Sequence, residues 1–197
     1  MKRLTSRILE EARRLPEGAV LTAKALLHLS SRAAVDQALS RLARRGQLLR
    51  AGRGLYVLPV ESRFGVRAPS VEKVVEAVAA QRGETIAPNG AAAANALGLS
   101  TQVPVRRVYL TSGPSRTLHL GRQTVELKHA PQWQLVLPGR PAGQAVRALA
   151  WLGPAKVYET MRRLKRTLPV TEWEALTGVG ARLPTWLAEP VSQATHG

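Results

Sequence analysis

Ser31-Arg32-Ala33-Ala34-Val35-Asp36-Gln37-Ala38-Leu39-Ser40-Arg41-Leu42-Ala43-Arg44-Arg45-Gly46, followed by Gln47-Leu48-Leu49-Arg50-Ala51-Gly52-Arg53-Gly54-Leu55-Tyr56-Val57-Leu58-Pro59, decides how the first third of the chain is read. Val35, Ala38, Leu39 and Leu42 recur at helical spacing, which predicts a helix from Arg32 to about Arg45 with Gly46 as its C-terminal stop. Arg32, Ala33, Asp36, Gln37, Ser40, Arg41 and Arg44 fall on the opposite face. Two short β-prone runs then flank Ala51-Gly52-Arg53-Gly54, whose glycines supply the positive φ that a tight hairpin needs.

Upstream, Leu4, Ile8, Leu9, Ala12 and Leu15 predict a first helix over roughly Lys2 to Leu15, ended by Pro16-Glu17-Gly18. Thr22 is a candidate cap for a second helix over Ala23 to Leu29, and Ser30-Ser31 break and re-cap the chain. Three helices followed by a basic hairpin is the order of a winged helix-turn-helix. In that arrangement the third helix enters the major groove of duplex DNA. Arg pairs bidentately with guanine and Gln with adenine, while a small residue such as Ala33 lets the backbone approach. Ser31 and the helix N-terminus suit a phosphate. The candidate DNA contacts are therefore Ser31, Arg32, Ala33, Gln37, Ser40, Arg41 and Arg44, with Arg50 and Arg53 at the base and tip of the wing. The plainer alternative is a solvated face on which Asp36 only pairs with Arg32 one turn back.

Charge agrees with a polyanionic partner. The 197 residues carry 29 Lys and Arg against 13 acids, a net +16, which favours counterion release from nucleic acid. Residues 1–67 hold 14 of the basic residues and 5 of the acids, about twice the charge density of the remainder. A membrane surface accepts the same charge, but no apolar run approaches the roughly 18 residues of a spanning helix. The N-terminus reads as an amphipathic helix containing acids, unlike a signal peptide, and cysteine is absent. A cytoplasmic location is the default expectation, with no disulfide, thiolate metal site or cofactor.

Pro59 to Pro69 is Pro-flanked and lacks clear periodicity, so the expected organisation is a head over 1–60, a linker over 61–69 and a second domain over 70–197. In that second domain Ser70 caps a helix bearing Val71, Val74, Val75 and Val78. Strands are predicted over Glu84–Ala87, Arg107–Thr111, Thr117–Leu120 and Gln123–Lys128, and helices over Ala91–Leu97, Gly143–Leu152 and Ala155–Leu168, with one or two more after Thr171. The fold class is α+β: a winged helix-turn-helix followed by a mixed α+β domain.

Two segments carry a resemblance. Leu29 to Leu42 with Gly46-Gln47-Leu48-Leu49-Arg50 and Gly52-Arg53-Gly54-Leu55-Tyr56 resembles the N-terminal domain of the AbiEi-type antitoxins of bacterial type IV toxin–antitoxin (abortive infection) systems. Ala87-Pro88-Asn89-Gly90 through Leu97-Gly98-Leu99-Ser100-Thr101-Gln102-Val103-Pro104, then Val108 to Gly113, resembles shorter variants of that family. The similar segments span roughly residues 4 to 130, and residues 131–197 resemble nothing familiar. The resemblance implies a repressor that binds double-stranded DNA at its own promoter, with a C-terminal domain needed for antitoxicity. It also implies a functional pairing with a nucleotidyltransferase-like toxin, without implying direct contact. Its DNA-contacting surface maps onto Arg32, Gln37, Arg41, Arg44, Arg50 and Arg53.

Other motifs point elsewhere with less force. Glu126-Leu127-Lys128 has the Glu-x-Lys form of a metal-dependent nuclease, but such a site needs another acid, normally Asp, and the one Asp of the chain is Asp36. Glu84 is the nearest substitute, and no catalytic role is expected. His28, His119, His129 and His196 lack metal-ligand spacing, and Ser112-Gly113-Pro114-Ser115-Arg116 lacks the lysine of a P-loop. Arg162, Arg163, Lys165 and Arg166 form a second basic patch, read as a solvated face, a further nucleic-acid contact or a surface for an acidic partner. An RNA-binding regulator would use both basic segments, yet the eight aromatics are few and ungrouped, and Trp133, Trp151, Trp173 and Trp186 are spaced for packing.

Overall fold

The computed structural model describes residues 3–196, except the side chains of Thr195 and His196. Lys2, where the first helix was expected to begin, and the His196 side chain lie outside the described residues. The chain is mixed α+β and divides into two compact units, Met1–Gly83 with Arg116–Glu126, and Glu84–Ser115 with Leu127–Gly197. Among the described residues no helix is long and apolar enough to cross a membrane.

In the first unit α1 (Leu4–Arg14) buries Ile8 and Ala12 and stops at Leu15, which is extended ahead of Pro16. β1 (Val20–Leu21) follows, too short to leave a period in the sequence. The expected second helix is instead a single 3-10 turn, Lys24–Leu26. The cause lies in what is buried: Ala23 and Leu26, three apart, face the core, whereas Leu27 and His28 are exposed. The bonds run from Leu26 N–H to Ala23 O and from Leu29 N–H to Leu26 O, the i→i+3 pattern. α2 (Arg32–Arg44) forms as its periodicity predicts, and Gly46 closes it at φ +70°.

β2 (Leu49–Gly52) and β3 (Leu55–Val57) make the expected hairpin, and β1 adds to it in the order β1-β3-β2. Only Gly54, at φ +70°, uses the left-handed region. Gly52 does not, contrary to the expectation that both glycines would. Ile8, Leu21, Leu26, Val35, Leu39, Leu42, Leu48 and Tyr56 pack together as the core.

Residues 61–69, read as a linker, are ordered differently: β4 (Val60–Ser62) and β5 (Gly65–Arg67) pair as a second hairpin. α3 (Val71–Arg82) buries Val71, Val74, Val75 and Val78, but Ser70 does not cap it with its side chain. The Ser70 hydroxyl donates to Glu72 Oε2 at 2.7 Å, and its N–H donates to Glu17 Oε1 at 3.1 Å. Glu17 also accepts from Lys73 Nζ at 2.7 Å and Arg67 at 3.2 Å. These donors, Lys73 foremost, lower its pKa from 4.5 to about 2.

The second unit contains β6 (Ile86–Pro88), α4 (Gly90–Ala96) and β7 (Arg107–Thr111), with β6 antiparallel to β7. Asn89 caps α4, its side-chain oxygen accepting from Ala92 N–H at 3.0 Å. β8 (Arg116–Leu120) and the first four residues of β9 (Gln123–His129) belong to the first unit, and the last three residues of β9 to the second. α5 (Pro141–Leu152), α6 (Val157–Thr167), α7 (Val170–Gly178) and α8 (Thr185–His196) complete the second unit around Val146, Leu149, Met161, Leu164, Leu176 and Leu187. Trp133, Trp173 and Trp186 pack against this core. Arg147 of α5 is almost wholly buried and donates to the carbonyls of Gln134, Val136 and Pro138, and its burial lowers its pKa to about 10.

Candidate nucleic-acid interface

α2 divides by burial as it does by sequence. Val35, Ala38, Leu39 and Leu42 are fully buried, which fixes the helix rotation against the first unit's core. Arg32, Ala33, Asp36, Gln37, Arg41 and Arg44 are exposed, while Ser40 is half-buried. Gln37, Arg41 and Arg44, spaced four and three apart, stand above one another on one solvent-facing stripe.

The helix start is built locally. Ser31 is extended and its Oγ accepts from Ala34 N–H at 3.4 Å, so the hydroxyl caps its own helix. Arg32 is already engaged: its Nε donates to Asp36 Oδ2 at 2.8 Å, with both side chains largely exposed. Arg41 and Arg44 occupy the last turn, where a cation also complements the negative end of the helix dipole.

The β2–β3 hairpin continues the same charge. Register pairs Leu49 with Val57, Arg50 with Tyr56 and Gly52 with Leu55, with a bulge between Arg50 and Gly52. A bulge re-aims the strand it interrupts. Tyr56 is buried on the core side, whereas Arg50 is exposed. Arg53 sits exposed at the turn beside Gly54. Across residues 31–58 six Arg face one Asp, so the helix and hairpin form a cationic surface on an apolar backing.

Sequence reasoning missed what supports this hairpin. β8 returns from later in the chain to lie beside β2, within ordinary contact range of it: a Cβ on Gly52 would stand 3.8 Å from Leu118 Cδ2. Leu118 and Leu120 of β8 are buried and His119 is exposed, as is Arg122 in the following turn. The alternation in Thr117 to Leu120 marks a strand but gives no hint of its neighbour. Arg45 is a further exposed cation that the helical period left between faces.

The second basic patch lies on α6. Arg162, Arg163, Lys165 and Arg166 are exposed around buried Leu164. Two of them make bonds within their unit: Arg163 donates to Gly98 O at 3.0 Å and Lys165 to Ala194 O at 3.3 Å.

Several residues in the motifs with catalytic or metal-binding forms make local bonds. Thr111 donates to Glu84 Oε2 at 3.1 Å and accepts from Gly113 N–H at 3.0 Å. Ser112 and Ser115 hydroxyls accept from the N–H groups of Thr85 and His129. His129 Nδ1 stands 3.0 Å from Gly113 O, while His28 and His119 are exposed. Among the described residues no three His, Cys, Asp or Glu side chains are grouped to hold a metal ion.

No curated protein and no solved structure matches the chain. One family model does, the family of unknown function DUF6088, over residues 7–174. That match covers most of the sequence, and the chain belongs to the DUF6088 family.

Proposed function

We propose that this protein is a sequence-specific, duplex DNA-binding transcriptional repressor whose head, from α1 to β3, works as a winged helix-turn-helix in the cytoplasm. The observation that carries this reading is α2, whose apolar face is wholly buried while Gln37, Arg41 and Arg44 stand outward beside an Arg-tipped hairpin. A helix docked in this way presents Arg and Gln to base edges in the major groove. Arg50 and Arg53 then serve the phosphate backbone or the minor groove. The resemblance of residues 4 to 130 to AbiEi-type antitoxins extends the proposal: the protein represses its own operon as the antitoxin of a type IV pair, functionally matched to a nucleotidyltransferase-like toxin.

The test is competition binding of the full chain to fragments of its own promoter and to random duplexes across a salt series. The promoter fragment wins by orders of magnitude if the proposal holds. Arg41→Ala lowers affinity for the preferred site by about 1–3 kcal/mol and relaxes base preference at one position. Equal competition by random duplexes refutes the reading.

A further inference from the structure

We propose that the β4–β5 hairpin is the surface through which two copies of this chain associate, each inserting the Arg63–Phe64 tip into a groove beside the other's hairpin. The hairpin is a two-stranded sheet on its own, and residues 61–67 are all exposed. A lone two-stranded hairpin is at best marginally stable in water, and its edges are open to pairing. It nevertheless holds the chain's one Phe outward, with Phe64 86% and Val66 69% exposed.

The tip is locally braced. Ser62 Oγ accepts from Phe64 N–H at 3.3 Å and donates to Gly65 O at 2.9 Å, and Gly65 takes φ +107°. The Arg63 guanidinium lies 4.7 Å from the Phe64 ring centroid. A cation stacked on an aromatic ring is thus presented to solvent as one unit.

Its complement is next to it. A groove of about 430 Å³ runs along the base of the hairpin, lined by Leu9, Leu58, Pro59 and Val66 with Glu61 and Arg13 among its polar walls. Apolar walls suit the ring, and Glu61, which makes no ion pair among the described residues, suits the visiting Arg63. Arg67 is held by Glu17 and is not needed for the match. Because tip and groove share one hairpin, a two-fold axis beside it satisfies both insertions at once.

DNA is the less suitable occupant of this surface. β3 begins beside the wing tip at Gly54, ends at Val57, and leads into β4 at Val60, so the second hairpin leaves from the end of β3 opposite that tip.

The experiment is sedimentation equilibrium of the full chain at about 0.15 M salt, where surface charge is largely screened. The wild type is expected to be a dimer at micromolar concentration. Phe64→Ala is expected to be monomeric, with unchanged circular dichroism because the ring packs against nothing in the monomer core. Glu61→Arg and Arg63→Glu each weaken association by about tenfold or more, and combining them restores it. A monomeric wild type overturns the proposal, as does a dimer indifferent to Phe64→Ala and to the charge swap. A monomer whose DNA affinity falls on loss of Phe64 overturns it too, and assigns the hairpin to nucleic acid. The sedimentation readings do not require that the chain bind DNA, so they stand or fall apart from the proposed function.

Discussion

Arg32 Nε lies 2.8 Å from Asp36 Oδ2, one turn along α2, so the one Asp of the chain neutralises an Arg on the face proposed to meet DNA. With Arg preceding Asp, this i,i+4 pair has the less favourable order relative to the helix dipole, and it contributes about 0.5 kcal/mol or less to stability. Asp36→Asn should therefore leave the melting temperature almost unchanged. It should tighten DNA binding several-fold, by roughly 1 kcal/mol, as one anion is removed and Arg32 is released. Fluorescence anisotropy on a promoter fragment measures the affinity, and a weaker complex would assign Asp36 a base contact.

Arg53 is exposed at the hairpin turn, and the proposed function gives it the phosphate backbone of the duplex. Arg53→Ala should weaken binding to all sequences alike and make the slope of log K against log salt shallower by about 0.9. A loss confined to the preferred site would make Arg53 a reader of sequence.

Glu17 gives the first unit a pH dependence of known sign. Its pKa is lowered from 4.5 to about 2, so its stabilising contribution is fully present above 4.5 and is lost as pH falls toward 2. Melting temperatures of wild type and Glu17→Gln should differ most above pH 4.5 and converge as pH approaches 2. A constant difference across that window would show that the carboxylate's charge contributes nothing.

Gly90 lies where α4 meets α5, and a Cβ there would stand 2.5 Å from Trp151 Cβ and 2.6 Å from Arg147 O. Backbone on one side leaves little room to yield. Gly90→Ala should destabilise the second unit by about 1–3 kcal/mol despite the better helix propensity of Ala. Gly139→Ala, which meets nothing within 4 Å and has no positive φ, serves as the neutral control in denaturant unfolding.

Much of the architecture was legible in the sequence because burial imposes a period. The apolar residues of α1, α2 and α3 mark one face each, β8 and β9 alternate clearly enough to be found, and β7 shows as a short β-prone run. The exposed stripe of α2 followed directly, since fixing one face of a helix fixes the other. Several local expectations failed for local reasons. Ala23 to Leu29 has too few inward residues for α-helical spacing and settles as a 3-10 turn. Val60 to Arg67 buries so little that its hairpin leaves no pattern, and the turn takes its positive φ at Gly54 alone, not at Gly52 as well.

From the order of residues alone came the identity and approximate bounds of most elements, the charge imbalance, and the outward stripe of Gln37, Arg41 and Arg44, because these depend on spacing along one helix. The tertiary structure decided which distant segments meet: β1 on β3, β8 beside β2, Glu17 among Arg67, Ser70 and Lys73, and Phe64 with its ring in solvent. Periodicity reports which side of an element is covered and says nothing of what covers it. Partners across the chain are chosen by shape and hydrogen bonding once the elements pack together.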